Sequence, residues 1–370
     1  MAAPQKTYWH CLPTGAEEAD GSPRVASESL RRFTSSLLVA AGLTPEDARD
    51  TAACLVHADL RAVGTHGVFR LMQYADSINA GEINLRPNVR LLRESGAICL
   101  VDADGGYGYR PTFMAVDKAV EIASEQGVGC VGVRNSHHFG MAATFVLRAA
   151  DAGAIGFVTT NSLAIIAPTG GSRGVVGNNP YAFAIPRGSG RRPVVVDIAL
   201  TDAKFGGVPI AAAAGRQLAP GLALDPQGRP TIDAQEALRS GLLTSIGGPK
   251  GYGLALVAEI LAGALTGSPV GRDSHSHRHR TGGVGHLVIA IRPEAFIDRE
   301  AFDEAVENLC TQVAETEPAE PGGSVYVPGE LGWQTFDRRQ RDGIPLPRAL
   351  YGELNLLAAR LNVEALPAAN

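Results

Sequence analysis

The chain contains no apolar run of the roughly 18 residues that a helix needs to cross a membrane. Its first residues hold no apolar core of the length found in signal peptides. Basic residues are in the minority, because 33 lysines and arginines face 38 aspartates and glutamates, for a net charge of −5. We therefore expect a cytoplasmic protein that binds neither membranes nor nucleic acid.

Cysteine is also scarce. The chain has five cysteines, and an odd number does not suit a disulfide framework, in which cysteines pair. No C-x-x-C spacing occurs, which argues against a zinc ribbon. We expect reduced and mostly buried thiols at the five positions, which are Cys11, Cys54, Cys99, Cys130 and Cys310.

One histidine-rich segment, DSHSHRHRTGG, is a candidate for a metal site. Its histidines, His275, His277 and His279, alternate along the chain and would share one face of a strand. The segment is nevertheless polar, flanked by glycines and interleaved with arginines whose charge opposes a cation. We interpret it as a solvated loop and expect no metal.

Hydrophobic residues make up 45% of the chain, enough for a large core. Helical spacing of apolar residues predicts a first helix that stops at Gly42 and a second with Thr44 as N-cap and Pro45 in its first turn. A third helix is expected from Thr65 to Ala80, and strands and helices follow in alternation. This order predicts a mixed α/β fold after a loosely ordered tail at residues 1–24.

The stretch QGVGCVGVRN contains a formal G-x-G-x-x-G at Gly127, Gly129 and Gly132. A Rossmann site needs a strand before these glycines and a helix after them, since the pyrophosphate lies on the helix N-terminus. Here a predicted helix precedes Gly127 and a strand follows it. We therefore expect Gly127 to end a helix and the dinucleotide motif to be accidental.

The segment HADLRAVGTHGVFRL is dense in polar residues. On a continuous helix, His66 and Arg70 would share one face, four residues apart. A guanidinium grips a carboxylate bidentately, and a nearby imidazole can then serve the adjacent carbon as an acid or base. An exposed helix face with the same two residues is the alternative interpretation.

This segment resembles the D-L-R-G-x-x-S-H-G-x-x-R-L signature of the malate/L-lactate dehydrogenase family, which is unrelated to the Rossmann-type lactate dehydrogenases. Further blocks similar to that family follow in order: NSHHFGMAA from Asn135, NSLAIIAPTGG from Asn161, GNNPYAFAIP from Gly177, VVDIA ending at Ala199, GLALDPQGRPT from Gly221, GGPKGYGLALVAEILAGALTG from Gly247 and VPGE from Val327. Together they span most of the chain.

The resemblance implies a two-lobed fold with a non-Rossmann domain for NAD or NADP. It implies hydride transfer to or from a small 2-oxo or 2-hydroxy acid, with reduction of a cyclic 2-imino acid as an alternative. A homodimer is expected on the same basis. We place the nicotinamide domain at residues 111–289, and the substrate and dimerisation lobe at residues 25–110 and 290–370.

The same resemblance assigns roles to individual residues. His66 matches the acid/base histidine, Thr65 its hydroxyl neighbour and Arg70 the ligand of the substrate carboxylate, which Asn178 would assist. His138 matches a position used for cofactor contact or for proton transfer, so the proton donor stays open between two histidines. The positions expected to contact the cofactor are His138, Phe139, Gly140, Ser162, Asp197, Ile198, Ala199, Lys250, Pro328, Gly329 and Glu330.

Three positions depart from the family pattern. Thr65 replaces serine and Asn178 replaces threonine, and both keep a hydrogen-bonding group. Gly207 stands where some imino-acid reductases of the family carry an aspartate that completes a relay, which favours an oxo acid. The departures also leave open a non-catalytic descendant that keeps the fold for binding.

Overall fold

The computed structural model describes residues 22–188, 190–203, 208, 211–212, 214–274 and 282–367. The histidine-rich segment with His275, His277 and His279 therefore lies outside the described residues, as do Gly207 and residues 1–21. Within the described range, Arg24 and Val25 form a short strand, β1, that pairs with the short strand β11, Ile344–Pro345. This pairing ties the start of the described chain to its C-terminal part.

Two helices open the fold, as predicted. The second begins at Thr44, whose hydroxyl accepts a hydrogen bond from the Asp47 amide at 3.1 Å, with Pro45 in the first turn. The next helix is shorter than predicted, and it begins at Arg70. The bounds are α1 Ser27–Ala40, α2 Pro45–Leu60 and α3 Arg70–Asn79.

A mixed sheet forms the centre of the molecule. In the described part of the chain it has seven strands in the order β2-β3-β4-β10-β5-β6-β7. Only β3 and β4 run parallel, and the remaining pairs are antiparallel. The strands are β2 Arg90–Ser95, β3 Ile98–Asp102, β4 Val128–Ser136, β5 Ile155–Thr160, β6 Tyr181–Ile185, β7 Val194–Ile198 and β10 Val284–Ile291.

Two helices, α4 Tyr109–Gln126 and α5 Ala143–Asp151, pack on this sheet. Gly127 ends α4 in the left-handed region at φ 83°, and Gly129 and Gly132 lie inside β4. A Cβ on Gly129 would lie 2.1 Å from the Ala119 carbonyl oxygen, so this glycine lets α4 approach the strand. The prediction that Gly127 ends a helix and is followed by a strand is confirmed.

A second, smaller core lies beyond the sheet and is built on Ile166, Val176, Leu200, Leu243 and Ala255. Around it lie a hairpin, β8 Ala223–Leu224 with β9 Pro230–Thr231, and the helices α6 Ala234–Ser240 and α7 Pro249–Ala258. A π-helical segment, Glu259–Ala264, continues α7. The C-terminal part adds α8 Arg299–Ala314, α9 Glu330–Asp342, β11 Ile344–Pro345 and α10 Arg348–Arg360.

The prediction of one helix from Thr65 to Ala80 is wrong at its N-terminal end. A 3-10 turn, Gly64–His66, is followed by extended backbone at Gly67, and the α-helix starts only at Arg70. Gly64 and Gly67 weaken helix formation here, and Asp59 accepts a hydrogen bond from the Val68 amide at 2.8 Å. His66 and Arg70 are therefore not one turn apart on a continuous helix.

The division into lobes at residues 110 and 290 stays a prediction. The main core joins buried residues from both proposed lobes, such as Leu30, Val131 and Leu354. None of the helices in the described part of the chain combines the length and apolar character needed to span a membrane.

Candidate active site

The turn that carries Thr65 and His66 is stabilised by the Asp59 side chain, which comes from the end of α2. The Asp59 carboxylate bonds the Val68 amide, and a Cβ on Gly67 would lie 1.7 Å from Asp59 Oδ1. Only glycine leaves room for this carboxylate. The glycine of the T-H-G motif thus allows Asp59 to fix the backbone directly after His66.

Two of the five N–H groups of Arg70 are hydrogen-bonded, one to the same turn and one to its own helix. Its Nε donates to the Thr65 carbonyl at 2.7 Å, and its Nη1 donates to Gln73 Oε1 at 2.8 Å. The side chain is half-buried. The bond to Thr65 holds the guanidinium beside the Thr65–His66 turn, so the structure joins these residues without the continuous helix. Among the described residues, three N–H groups of Arg70 have no acceptor and are available to a ligand.

His138 joins this group from the loop after β4. Its ring stacks on that of His66 with 5.6 Å between centroids and 13° between planes. On its other side, His138 Nδ1 lies 2.6 Å from the Tyr74 hydroxyl, which lies 2.6 Å from the Tyr109 hydroxyl. Both candidate histidines are thus in one cluster, and a chain of buried tyrosines extends from one of them.

Phe139 and Gly140, the two residues after His138, pack against the interior of the protein. The Phe139 ring is buried and stacks on His286 at 4.5 Å, so a ligand can meet this position only through the backbone. Gly140 has φ 79°, and a Cβ there would lie 2.9 Å from the Tyr109 ring. Close packing against Tyr109 explains why this position holds glycine.

Ser162 and Asn178 come together from two loops. Ser162 Oγ lies 2.9 Å from Asn178 Oδ1 and 3.3 Å from Asn179 Oδ1, and its hydrogen can go to either acceptor. In the part of the chain that the structure describes, the two amide N–H donors of Asn178 have no acceptor and are available to a ligand. The asparagine that replaces the family's threonine therefore bonds the serine expected to contact the cofactor.

Asp197, Ile198 and Ala199 follow at the end of β7. Asp197 Oδ2 accepts from the Ala143 amide at 2.7 Å, which joins this turn to the start of α5. Asp197 is exposed as a residue, but the protein around its carboxyl group desolvates the carboxylate and raises the pKa of Asp197 to about 6. Ile198, the next residue of the strand, is 42% exposed and offers an apolar surface.

The V-P-G-E segment lies against the same strand. The Val195 amide donates to the Pro328 carbonyl at 3.1 Å, and a Cβ on Gly329 would lie 3.1 Å from Val195. The Glu330 carboxylate accepts from the Val327 amide at 2.8 Å and so stabilises its own turn at the start of α9. The structure thus brings the two predicted cofactor segments side by side.

Lys250 lies in the exposed first turn of α7. Its loop is linked to the Asp197 turn through Leu200, whose amide donates to the Asn178 carbonyl and whose own carbonyl accepts from the Ile246 amide at 3.1 Å. The N–H groups of a first helical turn and a lysine both attract anions. This arrangement suits a phosphate group.

Sequence reasoning missed four residues around the site. Tyr74 and Tyr109 form a chain of hydrogen bonds to His138. Asp59 stabilises the turn that carries His66. The Arg61 guanidinium stacks on the Trp333 ring at 4.3 Å and lies close to Asp197. Burial lowers the pKa of Arg61 to about 10. Tyr74 lies one helical turn after Arg70, a spacing that could have indicated it. Among the residues described, no group of three or more metal-binding side chains was found.

Comparison with known proteins agrees with this geometry. The sequence profile of the malate/L-lactate dehydrogenase family matches residues 25–355. The chain belongs to this family. A malate dehydrogenase from Pyrococcus abyssi is 33% identical over 350 residues, covering 93% of this chain and 96% of the relative. The solved structure of malate dehydrogenase from Pyrococcus horikoshii superposes with a TM-score of 0.85 at 33% identity, covering 94% of this chain and 98% of that one.

Another relative carries its cofactor in its name. It is (2R)-3-sulfolactate dehydrogenase (NADP(+)) from Chromohalobacter salexigens, 34% identical over 324 residues, or 87% of this chain and 94% of the relative. As a member of the malate/L-lactate dehydrogenase family, the chain is an oxidoreductase, and a nicotinamide cofactor is supported. The expected fold class is confirmed as well.

Proposed function

We propose that this enzyme reduces a small 2-oxo acid, reversibly, with NADH or NADPH. The observation that carries the proposal is the cluster of a carboxylate-binding group and two candidate proton donors. Arg70 bonds the Thr65 carbonyl, and the ring of His66, the next residue, stacks on His138. A 2-oxo acid needs these groups on neighbouring atoms, because its carboxylate adjoins the carbonyl to be reduced.

In the proposed mechanism, Arg70 holds the substrate carboxylate with the N–H groups that Thr65 and Gln73 leave unused. The Asn178 amide can donate to the same substrate. His66 donates a proton to the carbonyl oxygen as negative charge develops there, a contribution of roughly 10² to 10⁴ in rate. The Thr65 hydroxyl, 3.1 Å from His66 Nδ1, orients the imidazole.

The residues around Asp197 fit a nicotinamide nucleotide. When bound, reduced nicotinamide supplies the hydride for C2 of the substrate. Asp197 can accept a hydrogen bond from a ribose hydroxyl, Ile198 has apolar surface for a flat ring, and Lys250 can pair with a phosphate. Ser162, Ala199 and the segment Pro328, Gly329 and Glu330 complete the proposed contacts.

We also propose a homodimer that acts in the cytoplasm. The face formed by α7 and the π-helical segment is rich in exposed apolar side chains, namely Leu254, Leu256, Val257, Ile260 and Leu265. A second copy of the chain would cover such a surface. Light scattering should report a dimer for the wild type and a monomer for Ile260→Asp. Leu309→Asp, at another exposed leucine, should remain dimeric.

A kinetic panel tests the proposed reaction. NADH and NADPH are each combined with pyruvate, oxaloacetate, bulkier 2-oxo acids and a cyclic 2-imino acid. We expect turnover of at least one 2-oxo acid and nucleotide binding in the micromolar range or tighter. Turnover of the cyclic 2-imino acid alone would show that the enzyme reduces a C=N bond and not the carbonyl of a 2-oxo acid. No thermal stabilisation by either nucleotide at millimolar concentration would refute the proposal.

A further inference from the structure

Three groups form a chain of hydrogen bonds behind the two histidines. Tyr109 Oη, Tyr74 Oη and His138 Nδ1 follow one another at 2.6 Å and 2.6 Å. Tyr74 and Tyr109 are fully buried, and burial raises the pKa of both phenols, so each keeps its single hydrogen. The positions of these two hydrogens decide the protonation of His138.

Within the described part of the chain, only one arrangement gives both phenolic hydrogens an acceptor. If Tyr109 donates to Tyr74 and Tyr74 donates to His138 Nδ1, both phenolic hydrogens are bonded, and the ring proton of neutral His138 resides on Nε2. In the reverse arrangement, Nδ1–H donates to Tyr74 and Tyr74 donates to Tyr109. The Tyr109 hydrogen then has no acceptor among the described residues, and leaving a buried donor unpaired is unfavourable.

Protonation of His138 meets the same obstacle. An imidazolium carries a hydrogen on Nδ1, which must donate to Tyr74 Oη and leaves one phenolic hydrogen unpaired in the buried chain. The hydroxyl that contacts His66 is less buried than those of the two tyrosines. His66 Nδ1 faces the hydroxyl of Thr65, which is half-buried and can rotate to accept from the imidazolium or to donate to the neutral ring.

We propose that Tyr74 is a positioning residue that fixes His138 as the neutral tautomer with its proton on Nε2. His138 then acts as a permanent hydrogen-bond donor, and proton exchange belongs to His66. A neutral imidazole used as a donor is a known way to polarise a carbonyl. The division of labour between the histidines rests on the proposed function, whereas the tautomer does not.

The tautomer is tested by ¹⁵N NMR of histidine-labelled, nucleotide-free protein above the ordinary histidine pKa of about 6.5. The His138 signals are assigned by their loss in His138→Asn. We expect an unprotonated, hydrogen-bonded Nδ1 and a protonated Nε2. In Tyr74→Phe, the Nδ1–H tautomer should become populated. A protonated Nδ1 in the wild type overturns the proposal, as does an unchanged His138 spectrum in Tyr74→Phe.

Tyr107→Phe is the matched control. Tyr107 is buried and packs on Tyr74 at 4.5 Å between ring centroids, and its hydroxyl donates to the Tyr74 carbonyl and not to the chain of hydroxyls. This variant should keep the wild-type tautomer. If the enzyme reduces a 2-oxo acid, Tyr74→Phe should lower kcat roughly 10-fold, as expected for one lost hydrogen bond, with unchanged nucleotide affinity. Equal losses in both variants would overturn the positioning role. If the wild type turns over no 2-oxo acid but the ¹⁵N spectra are as expected, the proposed reaction is refuted and the proposed tautomer is confirmed.

Discussion

Arg70→Lys tests how the substrate carboxylate is held. Lysine keeps the positive charge but has no planar fork, and it also loses the bonds to Thr65 O at 2.7 Å and Gln73 Oε1 at 2.8 Å. A hydrogen bond between charged groups contributes about 1.5 to 3 kcal/mol. The loss of one such bond predicts a decrease in kcat/KM of about 10- to 150-fold.

Steady-state kinetics with a 2-oxo acid should show this loss mainly as a raised KM. Nucleotide affinity, measured by fluorescence titration, should hardly change. Arg86→Lys is the control, because Arg86 also donates to backbone carbonyls, of Gly42 and Leu85, but on an exposed surface. An unchanged KM for the acid in Arg70→Lys would refute the role of Arg70.

Three further predictions follow from packing and protonation. Gly67→Ala should abolish turnover and lower the melting temperature, because the new Cβ would overlap Asp59 Oδ1. Gly352→Ala is the control and should be tolerated, since a Cβ there would have no atom within 4 Å. Equal melting temperatures of the two variants would contradict this prediction. Burial lowers the pKa of His286 to about 3. Between pH 6.5 and 3, His286 is therefore protonated in the unfolded state but neutral in the folded state, and the free energy of unfolding should decrease as pH falls through that window. Urea unfolding at several pH values should show a slope of up to about 1.4 kcal/mol per pH unit from this residue, and His286→Gln should reduce it. In a crystal structure with bound nucleotide, phosphate oxygens should not contact the amides of Gly127, Gly129 or Gly132.

Local signals in the sequence predicted local structure well. Thr44 and Pro45 marked the start of α2, and Gly127 marked the end of α4, because caps depend on a few adjacent residues. The order of helix and strand around Gly127 was enough to reject a Rossmann site. The site residues came from resemblance to the family, and the structure brings most of them together in two linked clusters.

Long-range contacts were not predictable in this way. Strand β10 enters the sheet between β4 and β5 from residue 284 onwards, and nothing in its own sequence specifies those neighbours. Strand β2 is exposed along its whole length and shows no alternation. Tyr74 reaches partners 35 and 64 residues away, at Tyr109 and His138. The turn before Arg70 was missed because Asp59 stabilises it from the preceding helix.

The central claim is that His66 donates the proton while Arg70 holds the substrate. It is tested most directly by comparing kcat for reduction of the same 2-oxo acid by wild type, His66→Asn and His138→Asn, with nucleotide binding measured in each. We predict that His66→Asn lowers kcat roughly 10²-fold or more with a smaller effect on KM, because a proton donor acts mainly in the transition state. His138→Asn should retain more activity, since asparagine can still donate a hydrogen bond. Near-normal kcat in His66→Asn, together with lost turnover and intact nucleotide binding in His138→Asn, would contradict the claim.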